Sequence, residues 1–182
     1  MSIKRTLILI VLLIIVGVLT CGWLLQQEQQ KFEMKIAQLG DSSNSPACLQ
    51  MFNIIERKSE EFKIPKYILY NVAYLETRYQ GPFDWSYDPD VSSGAGAQGP
   101  MQIITRYAHH HAGRHVTSKE LRTDIELNVT ISCKMLTSLY KDYGRWDLAL
   151  GYYNTGYPQV NGYANYAVSN KQYKNKWIKP DF

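Results

Sequence analysis

Glu76 is the residue of this 182-residue chain whose setting most invites chemistry. It follows Val72 by four positions and Ile68 by eight, so on a helix it shares their apolar face. A carboxylate on such a face is costly unless it is paired, hydrogen-bonded or protonated. Two readings follow. Glu76 either sits at the margin of the stripe, wet or bridged to Arg78 or Lys66, or it is a carboxyl whose pKa desolvation has raised until it can donate a proton near neutral pH. Asp84, Asp88 and Asp90 come soon after it in a stretch dense in Asp, Ser and Gly. Aspartates there usually cap turns, yet any of them could act as a second carboxylate beside Glu76.

Other reactive residues are less pointed. His109, His110, His111 and His115 cluster, but no Cys or carboxylate stands at ligand spacing and adjacent helical residues point apart, so no metal is expected. At a cleft mouth they would make substrate binding sensitive to pH. Cys48 and Cys133 fit no CxxC pattern. In an oxidising compartment they either pair as a disulfide across a long loop or stay as buried apolar thiols. Asn128-Val129-Thr130 matches a glycosylation sequon inside a helical pattern, where it reads as coincidence. Lys171, Lys174, Lys176 and Lys179 form a basic tail, solvated or in touch with an anionic polymer or lipid.

The elements that must position these groups are helical. Ser45-Pro46 is a helix entry, followed by Cys48, Met51, Phe52, Ile55 and Phe62 at helical spacing. Pro65 restarts the chain into a helix carrying Ile68, Val72, Leu75, Glu76 and Tyr79, which Gly81-Pro82 ends. A long irregular stretch from Phe83 to Gly99 has room for a small hairpin. Thr117 to Glu120 has the capping-box pattern, an amphipathic helix follows from Asp124 to Tyr143 and is closed by Gly144, and a short one runs from about Asp147 to Gly156. The segment Tyr163–Tyr173 is expected as the last helix.

Ahead of all this, Lys4 and Arg5 precede an uncharged run from Thr6 to Leu25, long enough to span a bilayer core. The expected organisation is a cytoplasmic tip (1–5), one transmembrane anchor (6–25), a polar linker (26–45) and a folded domain (46–182), with the domain across the membrane by the positive-inside rule. No small-x-small cleavage site follows the run. Val18-Leu19-Thr20 before Cys21 faintly resembles a lipoprotein processing site, although Thr20 is larger than such sites prefer. The net charge of +4 suits an anionic polymer and falls far short of a nucleic-acid-binding stripe, so no nucleic acid is expected. The 14 Tyr and 4 Trp suit either sugar stacking or core packing.

Three motifs occur in order: Tyr74-Leu75-Glu76-Thr77-Arg78-Tyr79, Gly96-Ala97-Gln98-Gly99-Pro100-Met101-Gln102-Ile103, and Tyr152-Tyr153-Asn154-Thr155-Gly156. Together, from about Ser45 to Tyr173, they resemble the transglycosylase SLT family of lysozyme-like domains. The resemblance implies a mainly α, goose-type lysozyme-like α+β domain with a long loop or small β region. It places Glu76 on the catalytic acid/base and Thr77 on the following hydroxyl residue. Gly96, Ala97 and Gly99 fall on the glycine loop, whose backbone would approach the sugar closely. Met101 and Gln102 would line the cleft, Tyr153 would lie near the catalytic carboxyl, and Asn154 would hold substrate. Asp124 and Asn128 look structural.

The implied activity is lytic cleavage of peptidoglycan between N-acetylmuramic acid (MurNAc) and N-acetylglucosamine (GlcNAc), with a 1,6-anhydro-MurNAc product and no cofactor. A hydrolytic lysozyme of the same fold and a non-catalytic wall-binding assembly protein are the alternatives. Implied partners are glycan strands, the inner membrane through the anchor, and a secretion, conjugation, pilus or phage assembly, with the domain in the periplasm. Two departures stand out: Pro100 replaces the usual Leu, and Thr105-Arg106 replaces a frequent Pro after the Met-Gln-Ile run.

Overall fold

The computed structural model describes residues 3–40 and 45–179, and the chain divides into two compact units at residues 39 and 40. The first unit is one helix, α1 (Ile3–Gly40). Its segment Val11–Glu28 is long and apolar enough to cross a membrane, and its side chains there are exposed. That is compatible with a membrane anchor. The Thr20 hydroxyl donates back to the Val16 carbonyl at 2.9 Å, which hides a polar group within the apolar run. The helix does not stop at Leu25. It continues through residues 26–40, whose Gln-rich composition had suggested a linker; Gln, Glu and Lys are good helix formers once a helix is under way.

The second unit is built from helices around one core. α2 (Ala47–Glu61) buries Cys48, Leu49, Met51, Phe52, Ile54 and Ile55 and packs on α6 (Ile125–Tyr143). Pro46, not Ser45, occupies its cap position, and no side chain caps it. Cys48 and Cys133 are free buried thiols, so the disulfide alternative is replaced by apolar packing; burial raises both, Cys133 to about 12, which keeps them protonated and inert.

α3 (Lys66–Thr77) lies against α2 and α8 (Gly162–Ser169) with Ile68, Leu69, Val72 and Ala73 fully buried. It ends at Thr77, two residues before Tyr79, the last position of its apolar pattern. Arg78 turns left-handed at φ 61°, its N–H returning to the Tyr74 carbonyl, a Schellman-type stop. Tyr79 is nevertheless buried, so a hydrophobic position past the helix end had mimicked one more turn.

Part of the aromatic richness is core, with Tyr70, Tyr79 and Tyr87 buried, while Tyr107, Tyr152 and Tyr153 line a cleft. Tyr70 stacks on Tyr173 at 4.8 Å and meets Trp177 edge-on at 5.2 Å. Trp177 in turn covers Gly81, where a Cβ would lie 2.5 Å from the indole. The last helix is shorter than expected: α8 ends at Ser169 and a 3₁₀ turn, Tyr173–Lys176, carries the aromatics onto α3. The basic tail starts here, and Lys174 lies over the Trp177 ring at 5.3 Å.

The expected small hairpin lies at the glycine motif rather than in the Asp-rich stretch. β1 (Ala97–Gln98) pairs antiparallel with β2 (Ile103–Ile104), and Ser92 bridges to Gln98. β2 leads directly into α4 (Thr105–Ala112), a helix that carries three of the histidines. α5 (Ser118–Thr123) has the reciprocal Thr117–Glu120 capping box, Asp124 caps α6, and Gly144 closes it in the left-handed conformation. α7 (Trp146–Thr155) ends at Gly156 and packs between α6 and α8.

Candidate active site

Glu76 sits one residue from the end of α3, half-buried, in the wall of a cleft of about 610 Å³. Burial pushes its carboxyl up to about 7, and a hydrogen bond from Tyr163, which favours the charged form, opposes that rise. The Tyr163 hydroxyl donates to Glu76 Oε1 at 2.7 Å. Its own proton is secure, because burial and the adjacent Glu76 hold the phenol well above its ordinary range. A carboxyl near 7 populates both protonation states at neutral pH, as a group that must give and then retrieve a proton requires.

Tyr163 was not among the residues singled out from sequence. Tyr153, expected beside the carboxyl, spends its hydroxyl elsewhere: it donates to the Met101 carbonyl at 2.7 Å and shares a 2.9 Å hydrogen bond with Ser132. It still lines the cleft near Glu76, and the carboxylate's field helps keep the phenol protonated. The local signal for Tyr163 was present. Asn161 caps α8 by accepting from the Ala164 N–H, so Asn161-Gly162 marks a helix start with Tyr163 in its first turn. Nothing local says that this turn faces α3.

The motif residues divide into those that face the cleft and those that build it. Ala97, Gln102, Tyr153 and Asn154 line it together with Glu76. Met101 does not; it is fully buried, and only its backbone is used, accepting from Tyr153 and donating to Asn128 Oδ1 at 2.9 Å. Thr77 faces the loop instead of the cleft, its hydroxyl 2.9 Å from the Pro100 carbonyl and 3.1 Å from the Tyr87 hydroxyl. It ties the end of α3 to the glycine loop, and Pro100, which lacks an N–H, serves through its carbonyl.

Gly99 is also structural. At φ +72° it approaches the protein's own backbone, and a Cβ there would lie 2.0 Å from the Leu121 carbonyl oxygen. The close approach predicted toward a sugar is thus an approach toward α5. Gly96 needs its glycine for conformation alone, φ +84° with open space around it.

Asn128 is the hub beneath the loop. Fully buried, it donates to the Gln98 and Leu121 carbonyls, both at 2.8 Å, and accepts from Met101. Every polar atom of the amide is occupied inside the core, so the sequon is a coincidence of sequence.

The aspartates of the long loop are engaged in turns or ion pairs and none lines the cleft. Asp84 accepts from Ser86, Asp88 from the Asp90 N–H, and Asp90 pairs with Arg122 at 2.7 Å. Among the described residues Glu76 is the cleft's one acidic lining group. The histidines separate: His110 and His111 line the cleft, whereas His109 accepts from the Val116 N–H and stacks on His115. Among the described residues no three His, Cys, Asp or Glu side chains converge as metal ligands.

A family model, the transglycosylase SLT domain, matches residues 53–176, which include all three motifs. No curated protein and no solved structure matches the chain.

Proposed function

Since the chain belongs to the transglycosylase SLT family, we propose that it is a peptidoglycan lytic transglycosylase in which Glu76 serves as general acid and then as general base. Protonated Glu76 gives its proton to the oxygen bridging MurNAc to GlcNAc, and the bond from that oxygen to the MurNAc anomeric carbon breaks. The resulting carboxylate takes the proton of the muramyl 6-hydroxyl, whose oxygen closes on the anomeric carbon. The product is 1,6-anhydro-MurNAc, Glu76 ends protonated, and no water is consumed. The substrate's N-acetyl group supplies the assistance that a second carboxylate gives in ordinary glycosidases.

The observation that carries this reading is a single half-buried carboxyl, raised to about 7 and held by Tyr163, in a cleft with no other acidic lining residue among those described. In this reading Val11–Glu28, long and apolar enough to cross a membrane, is a single-pass anchor, and Lys4 and Arg5 ahead of it support a cytoplasmic tip and a periplasmic domain by the positive-inside rule. An anchored domain suits local wall opening for a secretion, conjugation, pilus or phage assembly.

The test is mass spectrometry of purified peptidoglycan incubated with the full-length chain in detergent. Anhydromuramyl products are expected, and none with Glu76→Gln. Reducing ends would replace this reading with a hydrolase, and appreciable activity in the variant would remove Glu76 from its role.

A further inference from the structure

We infer that Arg106, with His110 one turn further along α4, forms an anion subsite on the cleft wall that takes a carboxylate carried by the muramyl residue. This rests on the glycan-cleaving reading and deepens it. Both side chains line the cleft and stand four residues apart on one helix, hence on one face.

Arg106 is the arginine of the folded unit that lines the cleft. Arg57 pairs with Glu126, Arg114 with Glu120, Arg122 with Asp90 and Arg145 with Asp147, each at 2.7–2.8 Å. Arg78 lies over the Tyr74 ring. Arg106 meets no carboxylate among the described residues; its guanidinium lies 4.7 Å from the centre of the Tyr107 ring, which also lines the cleft. Stacking of that kind holds the plane of the group while leaving its N–H edge free for a carboxylate. His111, held below its ordinary value by burial, then by His110 and Lys134, also lines the cleft.

The same cleft is lined by Glu76, whose ionised form a bound anion would oppose. A carboxylate-bearing substrate therefore needs a compensating cation, and Arg106 is the permanent one in the lining. It occupies one of the two positions, Thr105-Arg106, where this chain departs from the usual proline. The carboxylate has two sources. In glycan stripped of peptide, the MurNAc lactyl group is free; in substituted glycan, that group is an amide and the carboxylates belong to the stem peptide.

The test measures kcat/KM of the full-length chain in detergent on three substrates: peptide-stripped glycan, peptide-substituted glycan, and neutral N-acetylglucosamine oligomers, followed by binding of each in the Glu76→Gln background. Arg106→Gln is expected to lower the ratio of charged-over-neutral affinity by on the order of tenfold, with Arg106→Lys recovering part of it. Loss on stripped glycan alone assigns the lactyl carboxylate, and loss on substituted glycan alone assigns the peptide. A ratio unchanged by Arg106→Gln, in a chain that still cleaves peptidoglycan, overturns the subsite. A folded wild-type chain that cleaves no muramyl glycan overturns the transglycosylase reading, and this inference with it.

Discussion

Removing the charge of Glu76 should stabilise the protein, and only above a particular pH. At pH 8 the carboxyl is ionised in both folded and unfolded chains. Folding then bears the cost of lifting it from its ordinary 4.5 to about 7, which amounts to at most about 3 kcal/mol. Because the group is half-buried, water at the cleft screens part of that, leaving on the order of 2 kcal/mol. At pH 4 the carboxyl is protonated in both states and the cost disappears. Stability through this group is therefore highest below 4.5 and is lost as pH rises from 4.5 to about 7.

Glu76→Gln keeps an acceptor for the Tyr163 hydroxyl and carries no charge at any pH. The expected result is a gain of about 2 kcal/mol at pH 8 and near zero at pH 4, read from urea unfolding of the full-length chain in detergent by tryptophan fluorescence. An equal effect at both pH values, or a loss at pH 8, would refute the claim that burial raises this carboxyl. The measurement is independent of any glycan assay, so it tests the strained carboxyl apart from its use.

Tyr163→Phe removes the hydrogen bond that favours the charged form, so the alkaline limb of the kcat/KM profile should move up from about 7 by roughly one pH unit; an unmoved limb would leave Tyr163 a packing residue only. Gly99→Ala drives a methyl into the Leu121 carbonyl at a left-handed position and should destabilise by about 3 kcal/mol or more in thermal melts, whereas Gly96→Ala, with open space around it, should cost about 1 kcal/mol. Dithiothreitol should leave the melting temperature unchanged, and alkylation of Cys48 and Cys133 should require unfolding, because both are buried free thiols.

Much of this was legible in the order of residues. Helix entries and stops are local events: the Thr117–Glu120 box, the Asp124 cap and the Gly144 and Gly156 stops need only neighbours a few positions away. The apolar stripe that carries Glu76 is likewise a matter of spacing, and so is the helical domain that the three motifs imply. What a local pattern cannot say is which surface a side chain meets. The stripe read Tyr79 as helical because burial past a helix end looks the same as burial within it. Glycine spacing announced a tight loop without saying whether the empty side faced a sugar or, as at Gly99, the Leu121 carbonyl. Thr77 and Met101 carried the right motif and turned inward, one toward Pro100 and the other into the core. The partner of Glu76 comes from the far end of the domain, 87 residues away. Its hydroxyl reaches the carboxyl only because α8 packs on α3, and the pKa near 7 exists only because that packing excludes water. Sequence determined that an acid would stand in register with an apolar stripe; the tertiary structure decided that it would be partly buried, which hydroxyl would hold it, and how far its proton affinity would rise.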